Sequence, residues 1–538
     1  MYFFLNNTSF YLASGIEHAE YARLRLFKQH GVDAKILTQV YQLDATDNLI
    51  ANHVDPDDCI NMIDYFCDNI GVTPRALTVD EVYRDSPWKR VGDGSTVHFY
   101  QGNWETQRVY TNQGNITKVE HFDGDQQLVR RDRFDSRGFR AKSEFYATTD
   151  DPQAALLTLE QYYSSTGRVG FETSYRSRNN AVVSVNHRIQ LADGRSWAVF
   201  NLGQAMTVFL DLINMDNGGH NTFISDRSNI TNQPMIEMTT PARKIEHFHN
   251  IHFADPRDPM NSALTYPSIA ETNRLAATDM IITPTAQQAD DMRRRLKTDV
   301  PIVDIPVGYV PGAQLQNSHV LMTDARRIKG NIIIVARLSK QKNLSEAILA
   351  FAAAHEQLDW LTLNIYGYGD SEDGFQEENK LRALVQEKQL AGCVIFNGYT
   401  RDMAAVYQSA QLLLMTSEHE GFVLALLEAA SFGVPQLSYD SYYGPAHVIR
   451  DGQSGYMVRY GDRPALTQHI LDVMRDPELL QTLSDGAYGR AEDFSDTAVW
   501  QRWQDAVIRH DGERGQFNRK NVDPIKGQLQ AHPVNFDV

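Results

Sequence analysis

The sequence predicts an α/β protein with two Rossmann-like halves, the first of which is interrupted by an antiparallel β-sheet. Three observations support this. The chain opens with an apolar strand, a glycine-bearing turn and a helix; residues 88–200 repeat a hairpin pattern; and a buried strand at 332–336 starts a second alternating series. Strands that alternate with helices form parallel sheets, whereas short strands separated by regular turns form antiparallel ones.

The composition bounds what the protein does. At 538 residues the chain is too long for one ordinary core, and 42% hydrophobic with 22% charged residues is typical of globular domains. A net charge of −17 argues against nonspecific nucleic-acid binding. No apolar run of about 18 residues is present, so we expect no transmembrane helix and a place at most peripheral to a membrane.

The cellular location is predicted from the start of the chain and from its cysteines. Residues 1–6 are apolar without a preceding basic segment, which favours a buried strand over a signal peptide. Three scattered cysteines (Cys59, Cys67 and Cys393) are too few for a disulfide framework or a zinc site. Both observations favour the cytoplasm.

The first Rossmann-like domain is predicted to comprise residues 1–87 and 201–310. A strand leads to the turn Ser14–His18, then to a helix over 19–29 and a strand over 34–40. Gly15 therefore lies in the kind of first loop that faces a phosphate, although a plain structural turn explains this segment equally well. Strands near 244–248, 280–282 and 302–308 complete the domain.

Residues 88–200 are predicted to form an inserted antiparallel sheet for oligomerisation or for binding an acceptor or partner. Tyr110, Phe122 and Phe134 are spaced 12 residues apart, and each precedes a glycine-bearing turn. A basic stretch lies in this region, and it is either a solvated strand face or a site for a polyanionic acceptor. Its members are Arg130, Arg131, Arg133, Arg137, Arg140 and Lys142.

The second Rossmann-like domain is predicted over residues 329–494, after a polar linker at 311–328. Strands are expected at 332–336, 361–366, 394–396 and 412–415, with another after Pro435. An amphipathic helix with Trp500 and Trp503 follows at 495–510, and a polar tail covers 511–538.

The most informative pair of residues is Glu420 and Glu428, separated by 428 − 420 = 8 positions. The first lies at a glycine-containing turn and the second lies in the Ala/Leu-rich helix that follows. Because a helix N-terminus presents free N–H groups, this turn suits a diphosphate, with the carboxylates free to bind sugar and ribose hydroxyls. Taken alone, a Glu pair at this spacing is more often a helix with two solvated carboxylates.

Arg337 and Lys342 follow the first strand of the second domain. Ligands bind at the carboxyl ends of strands in such sheets, and two cations there neutralise a diphosphate leaving group without a metal. We therefore expect a metal-independent enzyme that needs no cofactor beyond its nucleotide-sugar substrate.

The order of Arg337, Lys342, Glu420 and Glu428 resembles the Glu-x7-Glu pattern of retaining GT-B glycosyltransferases, in particular glycosyltransferase family 4. The resemblance implies a GT-B fold with an active-site cleft between its two Rossmann-like domains. It implies catalytic roles for these residues and for His249, and a helix at 495–510 that crosses back to the first domain. The implied UDP-sugar contacts are Gly15, Gly421, Phe422, Val423, Leu424, Glu428, Tyr366, Gly367 and Tyr399.

His249 lies at the end of a predicted strand, where the family places a substrate-facing histidine. A structural histidine is the alternative. A zinc site formed by His247, His249 and His252 is a weaker one, because no carboxylate or cysteine pattern accompanies the three.

A narrower resemblance is to the members of this group that carry a β-rich insert, namely the wall teichoic acid α-glycosyltransferases and the glycosyltransferase of serine-rich adhesins in accessory Sec systems. It rests on the runs at 14–19, 223–227 and 249–252. It implies transfer of glucose or N-acetylglucosamine from a UDP-sugar to poly(polyol-phosphate) wall teichoic acid, with Arg130, Arg131, Arg133 and Arg137 as candidate acceptor contacts.

Three alternatives stay open. In the first, the acceptor is Ser/Thr of a serine-rich adhesin and a partner subunit takes part. In the second, the chain is an inactive substrate-binding subunit. In the third, it is a phosphorylase or starch-type synthase. The insert is expected to make a homo-oligomer or to bind the partner.

Overall fold

A computed structural model describes residues 1–9, 13–147, 155–178, 181–369 and 374–510. The predicted tail, 511–538, lies outside the described residues. The described chain forms two compact units, Met1–Glu246 and the part that begins at His247. This division does not follow the predicted domain limits, which remain a prediction. No helix in the described ranges is long and apolar enough to cross a membrane.

The first unit contains a parallel and an antiparallel sheet. Its helices are α1 (Gly15–Gln29), α2 (Ala45–Ala51), α3 (Met62–Phe66), α4 (Val79–Val82), α5 (Leu202–Asp216) and α6 (Asn232–Ile236), with a 3-10 turn at Pro56–Asp58. Its strands are β1 (Tyr2–Asn6), β2 (Ala34–Thr38), β3 (Cys59–Asn61), β4 (Lys89–Val91), β5 (Thr96–Gln101), β6 (Trp104–Asn112), β7 (Asn115–Phe122), β8 (Leu128–Asp135), β9 (Phe139–Ala147), β10 (Leu156–Tyr163), β11 (Val169–Arg178), β12 (Ala181–Gln190), β13 (Ser196–Val199), β14 (Thr222–Ser225) and β15 (Arg243–His247).

The parallel strands of this unit run in the order β15-β14-β1-β2-β3. The central strand β1 is buried along its whole length, as its apolar sequence predicts. Phe3 and Leu5 pack with Phe209 of α5 and Phe223 of β14 in one core. The strand expected at 34–40 is present as β2, which ends two residues earlier, at Thr38.

Helix α1 starts at Gly15, earlier than the predicted start at Ala19. The Glu17 carboxylate accepts hydrogen bonds from the Ser14 N–H (2.9 Å) and from Ser14 Oγ (2.5 Å). Such a capping box satisfies free groups at the helix N-terminus. The segment predicted as a turn is thus the first turn of the helix, and Gly15 is its first residue.

The inserted antiparallel sheet is confirmed. Strands β4 to β13 pair consecutively in a ten-stranded sheet within the described residues. Gly114, Gly138 and Gly167 sit between successive strands with φ of 84°, 86° and 94°. Only glycine adopts this conformation without strain, so the repeated aromatic-to-glycine units mark real hairpins.

The second unit contains eight strands in the described ranges, and six of them form a doubly wound parallel sheet. Its strands are β16 (Met280–Thr283), β17 (Ile302–Asp304), β18 (Asn331–Val335), β19 (Thr362–Tyr366), β20 (Val394–Gly398), β21 (Leu412–Met415), β22 (Gln436–Asp440) and β23 (Gly455–Arg459). Its helices are α7 (Thr272–Ala276), α8 (Ala286–Leu296), α9 (Gly312–Leu315), α10 (Leu344–His355), α11 (Gln376–Glu387), α12 (Met403–Ser409), α13 (Leu424–Ser431), α14 (Gly444–Val448), α15 (Arg463–Arg475), α16 (Pro477–Glu492) and α17 (Asp496–Trp503), with 3-10 turns at Pro267–Ala270 and Lys340–Lys342 and a π-helical turn at Gln504–Ile508.

The six-stranded sheet has the order β20-β19-β18-β21-β22-β23, so the strand order reverses direction at β18. Ligands of such sheets bind at this reversal, beyond the carboxyl ends of the strands. Buried apolar residues cover both faces of the sheet. The edge strand β23 was not predicted, because its apolar part is only three residues long.

The C-terminal helix α17 is anchored to residues 304–312. Asp496 accepts a hydrogen bond from the Gly312 N–H (2.9 Å), and Arg502 forms an ion pair with Asp304 (2.8 Å). Trp503, the last residue of α17, is buried.

Candidate active site

Two loops at the strand reversal are tied together. The loop after β18 contains Gln341 and Lys342, and the loop after β21 contains Thr416 to Glu420. The Gln341 side chain donates to the His419 carbonyl (2.9 Å), and the Glu418 N–H donates to the Gln341 carbonyl (2.9 Å). Thr416 Oγ1 donates to the Asn343 carbonyl (2.9 Å). These bonds fix one loop against the other.

Lys342 and Glu420 form the central ion pair. Lys342 Nζ lies 2.6 Å from Glu420 Oε1, and the two side chains are 17% and 9% exposed. The Glu420 backbone is held as well, since its N–H donates to the Tyr442 carbonyl and its own carbonyl accepts from the Tyr443 N–H, both at 2.5 Å. Two residues predicted from sequence as catalytic are therefore in direct contact.

His249 is brought to the same loop. A Cβ on Gly421 would lie 2.2 Å from the His249 carbonyl oxygen and 3.0 Å from the Asn250 Cα. Glycine is required here for close packing of two backbones. The half-buried His249 ring lies 4.5 Å from the His247 ring, measured between centroids.

Helix α13 begins immediately after this contact. Phe422 is buried, Val423 has φ of 89°, and Leu424 is the first helical residue. A positive φ is a genuine outlier for a β-branched residue, and such strain collects at functional sites. The first N–H groups of α13 have no partner within the helix, so this end of the helix suits an anion.

Glu428 lies within α13 and is exposed to solvent. Tyr407 Oη donates a hydrogen bond to Glu428 Oε2 (2.8 Å). Surrounding protein partly desolvates the carboxyl and raises its pKa, while the Tyr407 hydrogen bond acts in the opposite direction.

Arg337 is exposed after β18, and it takes part in no ion pair within the described ranges. Gly367 follows β19 with φ of 145°, and a Cβ there would lie 1.8 Å from the Ala336 carbonyl oxygen. Half-buried Tyr366 ends β19, and Tyr399 follows β20 with its ring 5.8 Å from that of Tyr368. All four predicted contacts thus lie at carboxyl ends of strands of one sheet.

The remaining predicted UDP-sugar contact, Gly15, lies in the first unit. A Cβ added at Gly15 would meet no atom within 4 Å, so there is open space beside the start of α1. The contact of Gly15 with a UDP-sugar stays a prediction.

Five of the six members of the basic stretch pair with carboxylates among the described residues, and Arg140 lies over the Tyr163 ring, 4.2 Å from its centroid. Arg131 contacts Glu120 (3.1 Å) and Glu144 (3.3 Å), and Arg130 contacts Asp132 (3.0 Å). Arg133 lies 3.5 Å from Glu144, the longest of these contacts.

Arg137 is buried between two carboxylates, at 2.8 Å from both Asp135 and Asp64. Its neighbours hold the guanidinium in place and raise the pKa of Arg137. This placement argues against Arg137 as an acceptor contact.

His252 does not point to a zinc site. It is fully buried, neither ring nitrogen has a hydrogen-bond partner in the described chain, and its ring stacks on Tyr443 with centroids 6.1 Å apart. Burial lowers the pKa of His252 to about 4. The expectation that no metal takes part stays a prediction.

Two residues were missed from sequence. Tyr407 lies 428 − 407 = 21 positions before its partner, on another helix, and no local pattern connects them. Tyr443 joins the Glu420 backbone to Asp291, which accepts a hydrogen bond from its hydroxyl (2.9 Å). The run Tyr443-Gly444-Pro445 was the available sequence signal, because Gly-Pro marks a turn. The structure shows why glycine is needed there, since a Cβ on Gly444 would lie 1.9 Å from the Phe422 carbonyl oxygen.

Comparisons with known proteins give independent information on the class of protein. Residues 326–490 match the family described as Glycosyl transferases group 1. The UDP-N-acetylglucosamine–peptide N-acetylglucosaminyltransferase GtfA subunit of Streptococcus pneumoniae serotype 4 is 24% identical over 532 residues, 93% of this chain and 97% of that protein. The poly(glycerol-phosphate) alpha-glucosyltransferase of Bacillus subtilis is 23% identical over 494 residues, 89% of this chain and 70% of that protein.

A solved structure has the same fold. The pneumococcal O-GlcNAc transferase GtfA, in complex with UDP and GlcNAc, superposes with a TM-score of 0.77 at 22% identity, over 94% of this chain and 98% of that one. The predicted GT-B fold is therefore confirmed. The family match confirms the prediction of a glycosyltransferase.

Proposed function

We propose that the chain is a retaining glycosyltransferase of family 4 that transfers a hexose, glucose or N-acetylglucosamine, from a UDP-sugar to a cell-surface acceptor. The observation that carries the proposal is the Lys342–Glu420 pair, 2.6 Å apart at the N-terminus of α13. A cation, a carboxylate and a helix N-terminus together match the diphosphate and the hydroxyls of a nucleotide-sugar.

The leaving group is UDP. Exposed Arg337, Lys342 and the first N–H groups of α13 stabilise the negative charge that develops on the β-phosphate oxygen. Lys342 is well placed for this because its ammonium group is held beside Glu420 in a half-buried site, where electrostatic interactions are stronger than in water.

The sugar is bound by Glu420 and His249. Glu420 accepts hydrogen bonds from its hydroxyl groups, and His249 contacts it from the loop that packs on Gly421. Glu428 accepts hydrogen bonds from the ribose hydroxyls. Phe422, Val423, Tyr366, Gly367 and Tyr399 complete the site.

The reaction is a front-face substitution. The acceptor oxygen forms a bond to the anomeric carbon on the face from which UDP leaves, while the bond between that carbon and the phosphate oxygen breaks. The hydroxyl proton passes to the departing phosphate. The stereochemistry at the anomeric carbon is retained, and no covalent enzyme intermediate is needed.

A Ser or Thr hydroxyl of a surface protein is the better-supported acceptor. The arginines that favoured a polyanionic polymer are paired with carboxylates in the insert. The chain also spans 97% of a relative named as a peptide N-acetylglucosaminyltransferase subunit. The ten-stranded insert is then the surface for a partner subunit or a second copy of the chain.

Wall polymer is the second candidate. It is supported by the relative named as a poly(glycerol-phosphate) alpha-glucosyltransferase. The cytoplasmic location expected from the sequence is part of either version of the proposal, since UDP-sugar is the donor in both.

The test measures UDP release from UDP-glucose and UDP-N-acetylglucosamine in the presence of EDTA. A Ser-rich peptide, poly(glycerol-phosphate) and poly(ribitol-phosphate) are offered in turn. Turnover on the peptide that is lost in Glu420→Gln supports the preferred acceptor, and turnover on a polyol-phosphate supports the second. Turnover that requires an added metal, or an inverted product, contradicts the proposal.

A further inference from the structure

Tyr407 is locked in the core on the side of α13 that carries Glu428. Its side chain is 1% exposed, and its ring stacks on Phe432 with centroids 5.7 Å apart. Its backbone carbonyl accepts a hydrogen bond from the buried Arg327 (2.8 Å), whose guanidinium also binds the Ala410 and Phe432 carbonyls. Arg327 thereby ties the carboxyl end of α12 to that of α13.

The hydroxyl of this fixed ring meets one carboxylate oxygen. Tyr407 Oη donates to Glu428 Oε2 at 2.8 Å, and Oε1 accepts no hydrogen bond within the described part of the chain. The last torsion of a glutamate side chain is broad, so a carboxylate on an exposed helix position has no preferred plane of its own. A hydrogen bond from a rigid donor selects one plane and directs the other oxygen outward.

We infer that Tyr407 is a positioning residue, which orients the Glu428 carboxylate so that Oε1 accepts hydrogen bonds from the ribose of the nucleotide. The inference rests on the proposed function and adds to it a residue that does not itself touch the substrate. The Tyr407 ring is already fixed by Phe432 and by the Arg327 contacts. Little conformational entropy of this side chain is therefore lost when the nucleotide binds.

Two influences act on the Glu428 carboxyl among the described residues. Partial desolvation of the carboxyl by the surrounding protein raises its pKa, although the residue is exposed, and the Tyr407 hydrogen bond lowers it. Other titratable groups on the elements that pack against α13 do not contribute to this shift. They are Tyr439 and Asp440 on β22, His447 on α14, and Glu478, Asp485, Tyr488, Arg490 and Glu492 on α16.

The test compares two Tyr-to-Phe variants of the full chain by calorimetric titration with UDP. Tyr407→Phe removes the hydroxyl that contacts Glu428. Tyr439→Phe is the matched control, since it removes a buried hydroxyl that donates to Glu346 at 2.9 Å in the same sheet domain. We expect the dissociation constant for UDP to rise about tenfold in Tyr407→Phe and to stay within twofold in the control.

The pH dependence separates positioning from a purely structural role. UDP affinity falls as the pH drops through the pKa of the Glu428 carboxyl, because a protonated oxygen no longer accepts. Loss of the Tyr407 donor raises that pKa further, so the midpoint moves to higher pH. Site-specific 3-fluorotyrosine at position 407 keeps the fold and strengthens the donor, so it moves the midpoint to lower pH.

Unchanged UDP affinity and an unchanged midpoint in both position-407 variants overturn the inference while the proposed function stands. A loss of affinity in Tyr407→Phe without any movement of the midpoint in either variant also overturns it, because that is the behaviour of a packing defect. Wild-type protein that binds no UDP overturns both the inference and the proposed function.

Discussion

The inserted sheet and the elements at the strand reversal of the six-stranded sheet both carry charged residues, but these charges are paired differently. In the insert, arginines such as Arg131 lie between two carboxylates and are neutralised there. At the strand reversal of the other sheet, Arg337 is exposed without an ion pair among the described residues, and Glu428 has an oxygen that accepts nothing. Unpaired charge beside the Lys342–Glu420 ion pair, and not charge as such, marks the candidate active site.

The largest expected effect is on the stability of the insert. Arg137→Met leaves Asp135 and Asp64 without the guanidinium that contacts both at 2.8 Å. Removing one partner of a buried ion pair costs about 3–5 kcal/mol. We expect a large loss of unfolding free energy in urea with unchanged UDP affinity. Arg133→Met is the control, since the ion pair of Arg133 with Glu144 is 3.5 Å long and the expected loss is below about 1 kcal/mol. Equal losses in both variants would break the contrast between neutralised and available charge.

The next effect is on catalysis in the six-stranded sheet. Glu420→Gln removes the carboxylate that pairs with Lys342 and binds the sugar hydroxyls. Loss of one such preorganised group typically lowers kcat by about 10²–10³-fold, or about 3–4 kcal/mol. UDP-release kinetics measure the change. Glu418→Gln, two residues away, serves as the control, and a similar drop there would assign the effect to the loop as a whole.

A smaller effect is expected from Gly421→Ala. The added methyl would lie 2.2 Å from the His249 carbonyl oxygen, so one of the two backbones must move. Overpacking of this kind costs about 1–3 kcal/mol. We expect a lower Tm together with reduced activity. Gly392→Ala is the control, since nothing lies within 4 Å of a Cβ there. A variant with wild-type Tm and activity would show that His249 need not pack on this loop.

Local patterns predicted most of the fold and part of the site. The aromatic-to-glycine spacing marked the hairpins because turn chemistry is local, and the spacing of Glu420 and Glu428 located the start of α13. Partners distant in the sequence were not predictable: Asp64, 137 − 64 = 73 residues before Arg137, is one of them. The other partner of Arg137, Asp135, lies only two positions away, but nothing local shows that this pair is buried. The start of α1 at Gly15 was missed because a glycine turn and a glycine at the first helical position look alike without the Glu17 cap.

The smallest of these effects gives the most direct test. UDP binding is measured by calorimetry for Arg337→Ala and Arg131→Ala. Among the described residues, Arg337 takes part in no ion pair, whereas Arg131 pairs with Glu120 and Glu144. The account predicts about tenfold weaker UDP binding in Arg337→Ala, equivalent to about 1.4 kcal/mol, and unchanged binding in Arg131→Ala. Unchanged binding in Arg337→Ala, or an equal loss in both variants, would contradict the claim that available charge at the strand reversal forms the nucleotide-sugar site.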